Sequence, residues 1–200
     1  MRRVVVIENV TLDGVMQAPG RPDEDDRDGF QHGGWGRAGA DEVMGRKMGE
    51  RMTRARGGAL LFGRRTYEDF FSFWPKQTDN PYTDVLDNRQ KYVASRTLKE
   101  PLPWRNSTLL HGDAAEAVAK LKGQPGEDLG VLGSGQLVRS LMQRGLVDEF
   151  VLMIHPLVLG TGRRLFADGG TFAELRLTDA TTTTTGVVIA TYEQEKHPKG

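Results

Sequence analysis

The order of apolar and polar residues along the chain predicts strands that alternate with helices. Short, continuous runs of apolar residues, many of them β-branched, are typical of strands buried on both faces. Such runs occupy residues 4–7, 59–62, 91–94, 108–111, 129–132 and 149–154. Two more strands are predicted between Phe172 and Glu193, joined near Gly186. This stretch contains the threonine run 181–185, whose β-branched side chains favour an extended strand.

Four segments between these strands have the pattern of helices. They cover residues 41–56, 66–73, 113–121 and 136–144. In the first, Met44, Met48 and Met52 recur every four residues, which is typical of methionines that fill a core. In the third, Asp113 and Glu116 have the spacing of a capping box.

Residues 11–39 are rich in Gly, Asp and Pro and follow no period. A loop of this length inside a compact domain is usually functional. Since the rest of the chain contains neither a repeat nor a linker, we expect residues 1–200 to form a single domain. The order of elements predicts an α/β fold with a mixed, mostly parallel central sheet and antiparallel C-terminal strands.

Composition restricts the classes of function. The chain of 200 residues has 27 basic and 27 acidic residues, a balance that argues against binding to nucleic acid or an anionic membrane. Because cysteine is absent, disulfides and thiolate sites are excluded. No apolar stretch reaches the roughly 20 residues that span a bilayer, and the run at 4–7 is too short for a signal peptide. These features predict a soluble, cytoplasmic protein.

Three predicted strands end in a glycine that precedes a helix, at Gly63, Gly112 and Gly133. In open α/β sheets, helix N-termini at the carboxyl ends of strands present N–H groups to anions. Residues 63–66 offer two arginines and a threonine, and residues 133–137 offer two glycines and a serine. A glycine at the end of a strand often serves only as a turn, so a purely structural role is the alternative for either segment. Two such turns that feed one crevice would fit a molecule with several phosphates.

Other motifs are incomplete. Val138 stands where a dinucleotide fingerprint needs a third Gly or Ala, and neither a P-loop nor a GxSxG elbow occurs. A calcium loop that begins at Glu24 would need a glutamate at its twelfth position, which is Trp35. The four histidines, at positions 32, 111, 155 and 197, form no HExxH pair and are expected to be structural or surface residues. We therefore expect no metal site.

Taken in order, six segments resemble the dihydrofolate reductase-like family, and in particular the reductase domain of the riboflavin-biosynthesis deaminase–reductase and its stand-alone relatives. The segments are T-L-D-G at 11–14, L-F-G-R-R-T-Y-E at 61–68 with W-P at 74–75, V-A-S-R at 93–96, L-G-S-G at 132–135, G-L-V-D-E at 145–149, and H-P-L-V-L-G-T-G at 155–162 with L-F at 165–166. Each motif alone is common, but the ordered set spans nearly the whole chain. The resemblance implies a three-layer sandwich with helices on both faces of the sheet.

The resemblance also implies NADPH as cofactor. The pyrophosphate would be held by residues of the two glycine turns, namely Gly63, Arg64, Arg65, Thr66, Gly133, Ser134, Gly135, Gln136 and Leu137. Ser95 and Arg96 would hold the adenosine 2′-phosphate, because a guanidinium pairs well with such a dianion. Leu12, Asp13 and Gly14 would line the nicotinamide, and a planar substrate would stack against Phe30 or Trp35.

Two acidic residues are candidates for the catalytic acid. A carboxylate at the start of the first helix would match the proton donor of dihydrofolate reductase, and Asp41 or Glu42 could occupy that place. The alternative is that either residue is simply an acid favourable to the helix dipole. No deaminase segment with zinc ligands is present.

Our leading hypothesis is an NADPH-dependent reductase of a small heterocyclic or carbonyl substrate. True dihydrofolate reductase activity and a non-catalytic NADPH-binding regulatory module are the alternatives. We expect a homodimer from the family resemblance and from the frequency of twofold dimers.

Overall fold

The computed structural model describes residues 1–54, 58–166 and 168–195 of the chain. Within these ranges, the strands are β1 (Val4–Thr11), β2 (Ala59–Gly63), β3 (Lys91–Ala94), β4 (Ser107–Leu110), β5 (Leu129–Leu132), β6 (Glu149–His155), β7 (Leu175–Thr182) and β8 (Val188–Gln194). The α-helices are α1 (Glu42–Arg54), α2 (Arg64–Phe73), α3 (Pro81–Asn88), α4 (Ala114–Gly123) and α5 (Gly135–Gln143). No helix among the described residues is both long enough and apolar enough to cross a membrane.

The eight strands follow the order β4-β3-β2-β5-β1-β6-β8-β7. Strand β2 pairs in parallel with β3 and β5, and β3 pairs in parallel with β4. Strand β8 runs antiparallel to both β6 and β7. The predicted α/β class, with parallel central strands and antiparallel C-terminal strands, is confirmed.

The contacts within the chain divide it into two compact units. The first unit comprises Met1–Val5 and Ala55–Leu146, and the second comprises Val6–Arg54 and Val147–Gly200. The expectation that the whole chain forms a single domain stays a prediction. Each unit is described by itself below.

The first unit is built on the parallel strands and an aromatic core. Phe62 of β2 and Tyr67 of α2 are almost completely buried and pack with Trp104. The Tyr67 hydroxyl accepts a hydrogen bond of 3.0 Å from the backbone N–H of Trp104. This polar link lets a tyrosine occupy the core without an unsatisfied oxygen.

The second unit contains the antiparallel strands, α1 and the long loop. Helix α1 is tied to β6 by an ion pair of 2.5 Å between Arg51 and Glu149. Strands β7 and β8 are joined through a turn in which Gly186 has φ +84°, a backbone conformation that favours glycine. The long loop has two short 3₁₀ turns, Arg27–Gly29 and Arg37–Gly39, and is otherwise irregular, as its sequence predicts.

Most predicted elements are confirmed to within two residues, but three differ. Helix α3 was not predicted. Strand β1, predicted over residues 4–7, continues to Thr11. In the threonine run only Thr181 and Thr182 belong to β7, because Thr183 begins the turn and accepts a hydrogen bond from the Gly186 N–H. The predicted end of the first helix at 55–56, the Met52 side chain and His197 lie outside the described residues.

Candidate functional site

In the first unit, the two glycine turns lie side by side. They follow β2 and β5, which are parallel neighbours, so both turns lie at the same edge of the sheet. The backbone N–H of Gly63 donates to Ser134 Oγ over 2.9 Å, and the N–H of Ser134 donates to Thr66 Oγ1 over 3.1 Å. The prediction that these turns converge is therefore supported by direct hydrogen bonds between them.

These bonds change the role expected of two hydroxyl groups. Ser134 Oγ also donates to the carbonyl of Leu132 over 3.2 Å, so its single hydrogen is engaged within the chain. The first turns of α2 and α5 have no side-chain cap, which leaves backbone N–H groups at two neighbouring helix N-termini. Such groups bind anions. Thr66 and Ser134 thus hold the turns together, so the groups suited to an anion are the backbone N–H groups at the two helix N-termini.

The conformation of the second turn requires a small residue at its first position. Gly133 and Ser134 both have left-handed backbones, with φ of +59° and +63°. A Cβ atom on Gly133 would lie 2.9 Å from Thr66 Cγ2, closer than carbon atoms pack. Glycine is therefore required at position 133 by the close contact with Thr66 as well as by the left-handed backbone.

A second feature of the first unit is a cavity of about 560 Å³ at the carboxyl ends of β3 and β4. Its lining comprises Ser95, Arg96, Leu98, Lys99, Glu100, Leu109, His111, Gly112 and Asp113. Ser95 Oγ accepts hydrogen bonds from the N–H groups of Thr97 and Leu98, over 3.1 and 3.0 Å, which fixes the loop after β3. Arg96 is exposed at this cavity, where its guanidinium can meet an anion.

Arg64 connects the glycine turns to this cavity. It is the first residue of α2, and its guanidinium donates to Thr97 Oγ1 over 2.7 Å and to Glu68 over 3.0 Å. Thr97 belongs to the loop that carries Ser95 and Arg96. The residues predicted for the pyrophosphate and for the 2′-phosphate therefore lie next to each other in the first unit. Arg65 and Gln136 are exposed, whereas Leu137 is buried.

The turn predicted to line the nicotinamide lies in the second unit and is held by Asp13. Its carboxylate accepts hydrogen bonds from the Thr11 hydroxyl over 2.6 Å and from the Gly160 N–H over 2.9 Å. The Thr11 hydrogen bond, with those from Gly160 and Leu159, lowers the pKa of Asp13 to about 2. The side chain of Asp13 thus holds the loop at 157–160 against this turn. Leu12 is 65% exposed and offers an apolar surface.

Asp41, predicted as a proton donor, is the cap of α1. One carboxylate oxygen accepts from the Met44 N–H over 2.8 Å, and the other accepts from both the N–H and the hydroxyl of Thr184 over 2.6 Å. These bonds, first the one from the Thr184 hydroxyl, lower the pKa of Asp41. A proton donor at neutral pH needs a raised pKa. For Asp41, the geometry therefore favours the capping role over that of a proton donor.

The two predicted substrate-stacking residues have different environments. Phe30 is 9% exposed and packs with Val15 and Ala18, so it is a core residue and not a free stacking surface. Trp35 is only half-buried. Its indole N–H donates to the carbonyl of Gln17 over 2.7 Å, and its ring meets the His155 ring edge-on at 5.1 Å.

Two residues that line the cavity were not predicted as site residues from the sequence. Lys99 and His111 lie beside Arg96 there, and His111 is exposed, which agrees with the expectation of a surface or structural residue. Their position at the ends of β3 and β4 was a usable signal, because ligands bind beyond such ends. In the described part of the chain, no group of three or more His, Asp or Glu side chains is arranged to hold a metal ion.

The sequence of this chain is similar to one protein family and to two uncharacterized proteins. Residues 2–189 match the model of the RibD C-terminal domain. The uncharacterized protein YyaP of Bacillus subtilis is 35% identical over 138 residues, which cover 66% of this chain and 72% of YyaP. The uncharacterized protein YwjB of the same organism is 29% identical over 118 residues, which cover 59% of this chain and 63% of YwjB.

Solved structures resemble this chain in fold. A pyrimidine reductase-like protein from Corynebacterium diphtheriae has a TM-score of 0.63 at 12% identity, covering 98% of this chain and 93% of its own. A protein from Shewanella sp. PV-4, provisionally named for riboflavin biosynthesis, has a TM-score of 0.68 at 20% identity, covering 97% of this chain and 99% of its own.

Proposed function

The chain belongs to the RibD C-terminal domain family, and on this premise we propose that it is an NADPH-dependent reductase of a small heterocyclic or carbonyl substrate. The observation that carries the proposal is the pair of uncapped helix N-termini, held side by side through Gly63, Thr66 and Ser134 and joined by Arg64 to the loop of Arg96. A cofactor with a pyrophosphate and a further phosphate fits this arrangement.

The proposed cofactor contacts follow from the chemistry of the residues. Backbone N–H groups at the starts of α2 and α5 would bind the pyrophosphate, since each helix dipole adds positive potential there. Arg96 and the hydroxyl of Ser95 would bind the 2′-phosphate in the cavity after β3. Lys99 lines the same cavity and adds a second cation. A phosphate monoester at this place would be paired by charge-assisted hydrogen bonds.

The protein's own contribution to the reaction is positioning. NADPH, when bound, supplies a hydride from its nicotinamide ring. The turn fixed by Asp13 is proposed to hold that ring, with the exposed Leu12 against its apolar surface. Trp35 is proposed to offer the stacking surface for a planar substrate.

Replacement of Arg96 tests the cofactor assignment. Arg96→Ala should weaken NADPH binding about tenfold to a hundredfold, because one or two charge-assisted hydrogen bonds to the 2′-phosphate are lost. NADH lacks that phosphate, so its affinity should change little. Fluorescence titration of both cofactors against the wild type and the variant measures the two effects.

Arg176→Ala is the matched control, because Arg176 is an exposed arginine on β7 that pairs with Glu193. It should leave both affinities unchanged. An equal loss of NADPH and NADH affinity in Arg96→Ala, or no loss of either, would contradict the 2′-phosphate assignment.

A further inference from the structure

We propose that Glu100 and His111 are specificity-determining residues of the cavity after β3 and β4, and that together they set how strongly it prefers a phosphate to a hydroxyl group. The Glu100 carboxylate opposes the phosphate, and a proton on His111 offsets that opposition. This role rests on the proposed function, because the phosphate in question is the 2′-phosphate of NADPH. The contacts that carry it lie within the first unit alone.

The cavity at the carboxyl ends of β3 and β4 carries charges of both signs. Its volume of about 560 Å³ is that of a small-molecule site. Two cations line it, Arg96 and Lys99, together with two acids, Glu100 and Asp113. A bound dianion is attracted by the cations and repelled by the acids. The two acids therefore determine how much of the attraction remains.

The two acids have different surroundings. Asp113 is the cap of α4, where one of its oxygens accepts from the Glu116 N–H over 2.9 Å, and the positive end of the helix dipole offsets its charge. Glu100 lies in the loop between β3 and β4, and its Oε1 atom accepts from the Leu109 N–H over 3.3 Å. This bond anchors Glu100 to β4, while 49% of its side chain stays exposed. Glu100 is therefore the acid whose charge acts most directly on a ligand in the cavity.

His111 faces the other oxygen of the same carboxylate. It follows β4 directly, and its Nε2 atom lies 3.5 Å from Glu100 Oε2. Histidine is the residue type that ordinarily gains or loses a proton roughly between pH 5 and 8. When protonated, His111 pairs with Glu100 and adds a positive charge to the lining, and when neutral it does neither. The charge beside a bound phosphate therefore depends on pH.

Arg96 and Glu100 favour different ligands in the same cavity. A guanidinium pairs with a phosphate through charge-assisted hydrogen bonds. A carboxylate accepts a hydrogen bond from a ribose hydroxyl and repels a phosphate at the same position. NADPH carries a phosphate at this position of its adenosine, and NADH carries a hydroxyl. Glu100 therefore reduces the preference for NADPH that Arg96 provides, and protonation of His111 restores it.

Replacement of Glu100 tests its role in specificity. Glu100→Gln removes the charge but keeps an oxygen that can accept from the Leu109 N–H. At about pH 8, the ratio of NADPH affinity to NADH affinity should rise about threefold to tenfold, because a like charge near the 2′-phosphate is lost. NADH affinity should not increase. The effect should be larger at an ionic strength of about 0.01 M than at about 1 M, since salt screens exposed charges.

Glu127→Gln is the matched control for this variant. Glu127 is an exposed acid of the same unit and precedes the start of β5. Strands β2, β3, β4 and β5 are parallel, so the start of β5 and the carboxyl ends of β3 and β4 lie at opposite edges of the sheet. This variant removes the same charge far from the cavity and should leave the ratio unchanged.

Replacement of His111 tests the dependence on pH. Adenosine 2′-monophosphate and adenosine serve as probes for the cavity, in calorimetric titrations at about pH 6 and pH 8. The wild type should bind the phosphate probe about threefold more tightly than His111→Asn at the lower pH, and equally at the higher pH. Because both proteins meet the same probe, its own protonation cancels in the comparison. Adenosine should bind the two proteins equally at both pH values.

A measurement on the wild-type protein tests the same coupling in reverse. If a proton on His111 favours the phosphate, the bound phosphate must favour the proton. The ¹⁵N signals of the His111 imidazole report its protonated fraction. At about pH 7 this fraction should rise when adenosine 2′-monophosphate is added and should stay unchanged with adenosine. Since the protein is unaltered, this experiment decides the question even if a variant fails to fold.

The proposal is overturned if Glu100→Gln changes the ratio of NADPH to NADH affinity no more than Glu127→Gln does, or if the phosphate probe binds without changing the protonation of His111. Failure of the proposed function has a different result, in which the wild type binds neither NADPH nor adenosine 2′-monophosphate, and it would overturn both proposals. Intact NADPH binding with an unchanged ratio would contradict only the role of Glu100 and His111.

Discussion

Glu8 is a carboxylic acid in the interior of the second unit, where acids are rare. It lies in β1 and is 4% exposed, and its Oε1 atom has no hydrogen-bond partner among the described residues. Burial, with a smaller contribution from the charge of Glu24, raises the pKa of Glu8 well above its ordinary value of 4.5. Glu8 and Asn9 are successive residues of β1, so their side chains point to opposite faces, and Glu8 faces away from His155, whose Nε2 lies 2.9 Å from Asn9 Oδ1.

The buried acid predicts a particular dependence of stability on pH. Above about pH 4.5, the unfolded chain releases a proton from Glu8 that the folded chain retains. The free energy of unfolding therefore falls as the pH rises, until Glu8 ionises in the folded protein too. The Glu8→Gln variant has no ionisable group at this position. Its free energy of unfolding, relative to that of the wild type, should therefore increase from pH 5 to pH 8. Urea unfolding at both values measures the change.

Glu50→Gln is the control for this prediction, because Glu50 is an exposed acid on α1. Its stability relative to the wild type should be nearly independent of pH. If Glu8→Gln behaved in the same way, Glu8 would be ionised in the folded protein at neutral pH.

Residue identities in the candidate site could be predicted better than side-chain roles. The glycine turns at 63 and 133, Ser95, Arg96 and Asp13 were all singled out from the sequence. The sequence could not show that Ser134 and Thr66 bond to each other's turns, because their partners lie about 70 residues away along the chain. For the same reason, the bonds of Asp41 to Thr184 and of Asn9 to His155 were not foreseeable.

Helix α3 was not predicted from the sequence, because its apolar pattern is weak. It has only eight residues, starts with Pro81, and is capped by Asn80, whose side chain accepts from the Tyr82 N–H over 3.0 Å. The Asn-Pro pair was a usable N-terminal signal. Yet only Leu86 is buried in this helix, so no apolar period marks it. The long helices α1 and α4, by contrast, followed from period and capping residues.

The C-terminal end of α3 depends on a lysine from the following strand. Lys91 is 0% exposed, and its ammonium donates to the carbonyls of Leu86, Asp87 and Arg89 over 2.7, 3.2 and 2.8 Å. It also lies 4.5 Å from the centre of the Trp104 ring, a cation–π contact. Burial lowers the pKa of Lys91 to about 8, so the ammonium persists at neutral pH.

Lys91→Met should destabilise the protein by about 2–4 kcal/mol at pH 7. The methionine fills a similar volume, but the carbonyls that end α3 lose their shared donor. Urea unfolding measures the loss, and Lys76→Met, at an exposed site after α2, should cost much less. A loss below about 0.5 kcal/mol in Lys91→Met would show that these carbonyls are satisfied in another way.

The α/β class and the arrangement of parallel strands followed by antiparallel strands are predicted by the kinds of apolar runs. Parallel strands buried on both faces have continuous apolar sequences, as β2 and β5 do. The strand order was not derivable from these runs, since a buried strand carries no mark of which neighbour it pairs with. The division of contacts into two units was likewise beyond the sequence, because each unit combines segments distant along the chain.

The oligomeric state stays a prediction. We expect a homodimer, which is the commonest closed assembly of a soluble protein. Sedimentation velocity over a tenfold concentration range should then give a species of about twice the chain mass of 22.2 kDa. A single boundary at the monomer mass throughout would contradict it.

Binding of NADPH by the paired helix N-termini and the Arg96 cavity can be measured by fluorescence titration of the wild-type protein with NADPH and NADH in parallel. We expect saturable binding of NADPH, with NADH at least about tenfold weaker because it lacks the 2′-phosphate. Binding of neither cofactor would contradict the proposed function, and the two glycine turns would then serve only to connect strands to helices.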